Sequence, residues 1–255
     1  MLSYQHAYHA GNMADVHKHF LLASALDYLV QKPKALSYIE THSGRALYDL
    51  AGAEASRTQE ARAGIARVED RLPADHPYLR ALNDTRAAHG PDAYPGSPLI
   101  ARALLRADDR MTLAEMHPAE VAALREAMGG RADIRATDGP QLALSLCPPT
   151  PRRGLLMIDP SYELKPEFTS MPALLRQIHR KWPVGVLMLW YPILASGAHK
   201  ALESAVEGVA EKMLHHRLRF PPAREGHGMI GSGMVVVNPP WGLEESAKVL
   251  DGLGS

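Results

Sequence analysis

The chain has 255 residues, 46% hydrophobic and 22% charged, with 28 basic and 28 acidic side chains and a formal net charge of +0. That size supports one large globular domain, or one domain carrying an insertion, and neutrality confines any nucleic-acid surface to a local basic patch. The single cysteine, Cys147, excludes an internal disulfide and a multi-cysteine zinc site and suits a reducing cytoplasm; without a signal-like start or a membrane-length apolar run, neither export nor a membrane is expected.

The first unusual stretch, 4–19, gathers His6, His9, Gly11, Asn12, Asp15, His17, Lys18 and His19. From Met13 onward Val16, Phe20, Ala23 and Leu26 recur at helical spacing, which predicts a helix to Val30 with Asn12 as its N-cap. Clustered histidines invite a metal site, but His17 and His19 lie two apart and diverge on a helix, and no H-E-x-x-H pattern is present. No metal is expected.

Residues 35–40 read as a short strand running into Thr41-His42-Ser43-Gly44, a small-residue loop of the kind by which backbone approaches a nucleotide-type cofactor. A pyrophosphate fingerprint is missing, because Ala46 stands where a second glycine would be expected. NAD and ATP are disfavoured, and a cofactor without phosphates remains. From 47 the composition turns to Ala, Arg and Glu, reading as two or three amphipathic helices without a convincing strand. The expected organisation is a core of 1–46 and 96–255, interrupted by a helical insertion at 47–95. Ser97 and Pro98 then fit the N-cap and first turn of a helix, whose free backbone donors could face a ligand carboxylate.

A regular alternation follows. A strand at 111–114 ends at Glu115, a helix spans 118–128, a strand at 134–137 ends at Asp138-Gly139, and a helix lies around 142–146. The continuous apolar run 155–158 then stops at Asp159, followed by Pro160, Ser161 and Tyr162. Repeated βα units of this size build a parallel sheet, with three acidic strand ends along one edge. Glu115 suits the hydroxyls of a ribose and Asp138 an adenine amino group, which makes S-adenosyl-L-methionine the natural cofactor. Asp159 is left for a substrate amine, although Asp-Pro alone is also an ordinary turn opener.

Beyond it the pattern predicts a helix at 172–182 with Arg176, Arg180 and Lys181, a strand at 184–190 ending in Tyr191-Pro192, and a helix at 198–210. Two strands, 213–220 and 233–237, joined by a glycine-rich loop, could pair antiparallel and make the sheet mixed. Asn238-Pro239-Pro240-Trp241 matches an amine-binding turn better than the Asp159 segment does. Its position after the last strand marks it instead as a structural strand exit.

Taken in order, MLSYQHAYHAGNMADVHKH, THSGRALY, YPGSP, the Glu115 strand end, TDG, IDPSYE and GMIGSGMVVVNPPW resemble the bacterial 23S ribosomal-RNA adenine-N(6)-methyltransferases of the RlmJ type across nearly the whole chain. The resemblance implies an α/β, Rossmann-like class I methyltransferase with a mixed, mostly parallel sheet. It implies a monomer acting on unassembled or protein-free 23S ribosomal RNA, with adenine 2030 as the family's target. By family role His19, His42, Ser97, Glu115, Asp138, Gly139 and Asp159 would contact S-adenosyl-L-methionine, Asp159 would be catalytic and Tyr4 would meet the RNA. The family usually has a second proline where this chain has Ser161, and a glycine where it has Ala46.

On this reading Asp159 and the Pro160 carbonyl accept the two hydrogens of the adenine amine, and Tyr162 stacks on the extruded base. Lys18, Arg152-Arg153, Arg176, Arg180, Lys181 and the insertion arginines are the candidates for phosphate contacts. Methylation of DNA or of a protein glutamine by the same turn, and a non-catalytic RNA- or nucleotide-binding module, are the competing readings.

Overall fold

The computed structural model describes residues 6–223, 226 and 228–254. Tyr4, the expected RNA contact, lies outside the described residues.

Helix α1 (Met13–Val30) starts where the spacing placed it: the Asn12 side chain accepts the Asp15 amide at 2.9 Å. It is buried almost all round, Asp15, His17, Lys18 and His19 included. A helix with so little exposed face belongs in the interior, and its polar groups must find partners there. Next come β1 (Ser37–Glu40), β2 (Leu47–Asp49), the short helices α2 (Ala53–Thr58), α3 (Glu60–Ala63) and α4 (Ile65–Val68), then α5 (Pro77–His89), β3 (Ala93–Pro95) and α6 (Ser97–Leu104). The alternation continues through β4 (Arg110–Glu115), α7 (Pro118–Met128), β5 (Asp133–Ala136), α8 (Gly139–Leu146), β6 (Gly154–Ile158), α9 (Glu167–Lys181), β7 (Val186–Leu194), α10 (Lys200–Val206), β8 (Met213–Arg219), β9 (Met229–Val237) and α11 (Leu243–Lys248).

Seven strands form one sheet in the order β5-β4-β1-β6-β7-β9-β8, parallel except for β9, which runs antiparallel to both neighbours. The strand order reverses between β1 and β6. In an open α/β sheet such a switch point leaves a crevice outside the carboxyl ends of the strands, where ligands bind. The central strands are buried on both faces and alternate between two cores. Leu155 and Met157 of β6 face the α1 side, whereas Leu156 and Ile158 face α9.

Several expectations are corrected. The segment 47–95 carries strands at both ends, β2 pairing antiparallel with β3, so that the chain leaves and re-enters at one place. Three residues per strand are too few for a period to show. Its first helices are shorter than expected because the chain breaks at Gly64, where a Cβ would lie 2.1 Å from the Gly11 carbonyl; the next amide, Ile65, donates to that oxygen at 2.8 Å. Strand β7 continues through Tyr191-Pro192 instead of ending there. Its pairing with β6 stops at Leu189, which frees one side, and an unpaired side tolerates proline. The glycine-rich loop is largely strand: β9 starts at Met229, and at Gly233 a Cβ would lie 2.0 Å from the Tyr191 ring.

The basic candidates Arg152, Arg153, Arg180 and Lys181 lie at the amino-terminal edge of the parallel strands, because they enter β6 or end the helix that returns to β7. Arg153 and Lys181 donate to main-chain carbonyls there, and Arg176 donates to Ala205 O at 2.8 Å. That edge faces away from the crevice. Asn238 belongs to it as well. It adopts φ +53°, and its side-chain amide donates to Pro183 O at 2.8 Å and Gly185 O at 2.9 Å, tying the end of β9 to the entry of β7. Replacing Asn238 by alanine removes both bonds, so the midpoint of urea unfolding should fall by the equivalent of about 1–3 kcal/mol while cofactor affinity stays unchanged.

Candidate active site

Outside the carboxyl ends of β1, β4 and β6 lies a cavity of about 380 Å³. His42 follows β1, Glu115 ends β4, Asp159 and Pro160 follow β6, and Ser97 opens α6. All of these line the cavity, joined by Tyr162 and by Lys18 and His19 from α1. Eight expected site residues, scattered over 145 positions of sequence, therefore share one space.

Asp138 and Gly139 do not line it. Strand β5 ends at Ala136, and Asp138 caps α8 by accepting the Gln141 amide at 2.8 Å. Gly139 is a packing requirement, since a Cβ there would lie 1.8 Å from the Thr41 carbonyl. Gly139 thus packs against the Thr41-His42 turn, and Asp138 acts on His42 through its charge alone. Ser97 is likewise not a cap. Gly96 is the N-cap of α6, and the Ser97 hydroxyl donates to Glu40 Oε1.

Glu115 organises the loops facing it. One carboxylate oxygen accepts the Gly44 amide at 2.9 Å, and the other accepts the Met116 and His117 amides at 2.8 Å each. Gly44 adopts φ +58°, and a Cβ on it would lie 2.5 Å from the Tyr48 hydroxyl, so the loop can approach only without a side chain. Ala46 holds φ +67° and is fully buried.

The charged centre of the cavity is a row of three groups. Lys18 Nζ lies 2.6 Å from Asp159 Oδ2 and 3.1 Å from Asp15 Oδ1. Asp15 also accepts the Gly11 amide at 2.9 Å and faces His6 Nε2 at 2.9 Å. Lys18 is only 5% exposed, so it is no phosphate contact; α1 carries it inward to the ion pair. Burial works against its charge, but Asp159 and Asp15 outweigh that and hold the ammonium above its ordinary range. Burial would likewise raise the Asp15 carboxyl, yet His6, Lys18 and His19 hold it well below the usual carboxylate range. Burial pushes His19 down to about 3, Lys18 and His6 adding to it against Asp15. His42 is lowered to about 4 by burial, against the pull of Asp159 and Asp138. Both imidazoles are neutral near pH 7.

Sequence reasoning missed Glu40, the last residue of β1. Burial raises its carboxyl to about 8, against the hydrogen bonds from Ser97 and Tyr38; the Tyr38 hydroxyl donates to Oε2 at 2.9 Å. The signal was present, since Glu40 is an acidic strand end like Glu115. Trp190 was also missed as a site residue. It lines the cavity, and Lys18 Nζ lies 5.6 Å from its ring centroid. Tyr162 adopts φ +55°, donates to Trp190 O at 2.7 Å and packs against Phe168 at 4.6 Å. Its ring is thus a fixed wall.

Two buried polar atoms around the cavity, Ser43 Oγ and His117 Nδ1, have no hydrogen-bond partner. Orphaned groups of this kind call for a ligand with complementary polar atoms. Together with Glu115, the neutral His19 and His42, and backbone brought close at Gly44, they fit a nucleoside bearing an amino-acid chain and no phosphates.

A sheet with its switch point at β1 and β6, an antiparallel β9, and such a cavity define a class I S-adenosylmethionine-dependent methyltransferase. A family model described as "Ribosomal RNA large subunit methyltransferase D, RlmJ" matches residues 33–253. The chain is 38% identical over 251 residues to the ribosomal RNA large subunit methyltransferase J of Escherichia coli, covering 96% of this chain and 90% of that protein. It is 37% identical over 256 residues to the protein of the same name from Haemophilus influenzae, covering 97% and 91%. A crystal structure of a Legionella pneumophila protein superimposes with a TM-score of 0.87 at 33% identity, covering 96% of this chain and 92% of that one. The chain belongs to the RlmJ family of ribosomal RNA large subunit methyltransferases.

The buried neutral imidazoles fix the acid limit of the fold. A histidine whose folded value is depressed stabilises the protein above its ordinary value of 6.5, and that contribution is lost as the pH falls through the folded value. Glu40, raised to about 8, works in the opposite direction as a single group. Urea unfolding of the cofactor-free protein should show stability decreasing from pH 6.5 towards about 4, with a shallower decrease for His42→Asn.

Proposed function

We propose that this chain transfers the methyl group of S-adenosyl-L-methionine to the 6-amino group of an adenine in 23S ribosomal RNA, with Asp159 accepting hydrogen from that amine. The observation that carries the reading is the Lys18–Asp159 pair at the mouth of β6. Lys18 occupies Asp159 Oδ2 at 2.6 Å, Asp159 lines the cavity, and no hydrogen bond to Oδ1 is found among the described residues. The Pro160 carbonyl follows directly on the chain.

The exocyclic nitrogen of adenine is a weak nucleophile because its lone pair is delocalised into the ring. Two acceptors placed at the end of one strand, Asp159 Oδ1 and Pro160 O, bind its two hydrogens and turn the lone pair out of conjugation. Bound S-adenosyl-L-methionine would supply an electrophilic methyl carbon, its sulfonium sulfur keeping the electron pair of the broken S–C bond and leaving as the neutral thioether. As the N–C bond forms, the nitrogen becomes acidic and Asp159 takes its proton. Lys18 stays charged throughout and fixes the carboxylate's orientation. His19, His42, Ser97, Glu115, Ser43 and His117 hold the cofactor, and Gly139 braces the His42 turn. Neutral imidazoles suit this role, because a cationic cofactor would be repelled by charged ones.

Support for the RNA substrate comes from the relatives in Escherichia coli and Haemophilus influenzae, which are named as methyltransferases of large-subunit ribosomal RNA. The reading includes a 47–95 insertion on a Rossmann-like core and a cytoplasmic monomer acting on RNA before subunit assembly. The insertion braces the first residues of the site: Glu60 approaches His9 Nδ1 at 3.0 Å and accepts from the Asn12 side-chain Nδ2 at 3.0 Å. Tyr162 contributes a fixed aromatic wall for the extruded base.

Asp159→Asn should bind S-adenosyl-L-methionine within about twofold of the parental affinity and transfer methyl groups to protein-free 23S RNA roughly 10²–10⁴-fold more slowly. Calorimetry with the cofactor and single-turnover methyl transfer measure the two quantities. Parental turnover by this variant would remove Asp159 from the mechanism.

A further inference from the structure

Behind the cavity wall, a continuous chain of hydrogen bonds runs from Trp190 to the surface. The Trp190 indole donates to Ser232 Oγ at 2.8 Å; Ser232 Oγ lies 2.8 Å from His17 Nδ1; His17 Nε2 lies 2.9 Å from His216 Nδ1; His216 Nε2 lies 3.2 Å from Asp251 Oδ1. The first three side chains come from β7, β9 and α1, and the last two from β8 and the turn after α11. His17 and Ser232 are fully buried, and Asp251 is exposed.

The two ends fix the direction of the first and last bonds. An indole N–H can only donate, and a carboxylate can only accept. His216 therefore presents N–H to Asp251 from Nε2, and in the tautomer that carries its only N–H there, Nδ1 is left as acceptor. His17 must then donate from Nε2, which leaves its own Nδ1 to accept from the Ser232 hydroxyl. Burial, and His216 beside it, hold the His17 imidazole well below its ordinary value, in keeping with a neutral ring. A single tautomer of each histidine satisfies the whole chain, with no buried polar group left over.

The indole so held stands beside the reacting carboxylate. Ile158 pairs with Leu189, so Asp159, just past the end of β6, and Trp190, within β7, come next in register side by side. Trp190 pairs with Met234, and Pro192 with Ser232, which puts Trp190 and Ser232 diagonally on one face of the sheet. Consecutive residues of α1 grip this ring: Lys18 lies over it at 5.6 Å, and His17 holds its N–H through Ser232. Tyr162 meets the ring at 5.8 Å in an edge-on arrangement and is itself nearly covered, so Trp190 is the more open of the two aromatic walls.

We propose that Trp190 is the surface on which the substrate base rests beside Asp159, and that Ser232 and His17, backed by His216 and Asp251, are positioning residues that fix its plane. This rests on the methyl-transfer reading above. A ring that sets the angle of the amine towards the acceptors acts on turnover, whereas cofactor binding is left alone.

The test is a double-mutant cycle on protein-free 23S RNA. Ser232→Ala and Trp190→Phe should each lower kcat about tenfold, with S-adenosyl-L-methionine affinity within about twofold of the parent. The double variant should lie within about twofold of Trp190→Phe alone, because Ser232 acts only through the indole N–H. Parental kcat in Ser232→Ala, or a double variant about a hundredfold down, overturns the proposal. Should Ser232→Ala lose cofactor affinity, His216→Leu, nearer the surface, is read in the same cycle by the same criteria. A fully active Ser232→Ala beside an inactive Asp159→Asn overturns this inference alone, and a parental protein that methylates no RNA overturns both.

Discussion

The structure depends on one buried ion pair, Lys18 with Asp159, which joins the first helix to the central strand across 141 residues of sequence. Two charges taken from water cost several kcal/mol each, and their attraction repays that only with close geometry and with the remaining lone pairs satisfied. Here the contact is 2.6 Å, and a second carboxylate, Asp15, stands on the other side of the ammonium. The excess negative charge is met in turn by the Gly11 amide and by His6. Removing one partner from such a group typically costs about 3–5 kcal/mol, because the other charge is left buried. The row therefore holds Asp159 in place and makes the residues before α1 part of the site.

From this constraint the rest of the architecture follows. For Lys18 to reach the end of β6, α1 must lie across the sheet with its polar face inward, and the outer side of the helix must be covered. Helices α5 and α6 and the short helices after β2 supply that cover, with Ile65 and Glu60 bonded back to Gly11, His9 and Asn12. The switch point between β1 and β6 opens the crevice just where these groups converge. His17, one position away on α1, faces Ser232 of β9 and His216 of β8. One turn of helix thus serves both the carboxylate and the aromatic wall.

Much of this could be read from the sequence wherever a local period carries the information. The spacing from Val16 to Leu26 gave α1 and its Asn12 cap, and the apolar run 155–158 gave β6 and the place of Asp159. Antiparallel pairing of the last two strands, and the structural part played by Asn238, were also legible. What escaped was set by contacts distant in sequence. Ser97 looks like a cap until Glu40, 57 residues earlier, takes its hydroxyl. Lys18 looks like a surface cation until Asp159 claims it. Asp138 looks like a strand end because β5 stops two residues sooner than the acid suggests. Strand β9 runs through glycines that local propensity assigns to a loop, because the Tyr191 ring leaves no room for a side chain at Gly233.

The most direct test of the central claim is to incubate the parental protein with methyl-labelled S-adenosyl-L-methionine and four acceptors: protein-free 23S RNA, assembled large subunits, duplex DNA and total protein. Label recovered from the protein-free RNA as N(6)-methyladenine at one site is the predicted result. Label in DNA or protein, or in no acceptor despite bound cofactor, would contradict it.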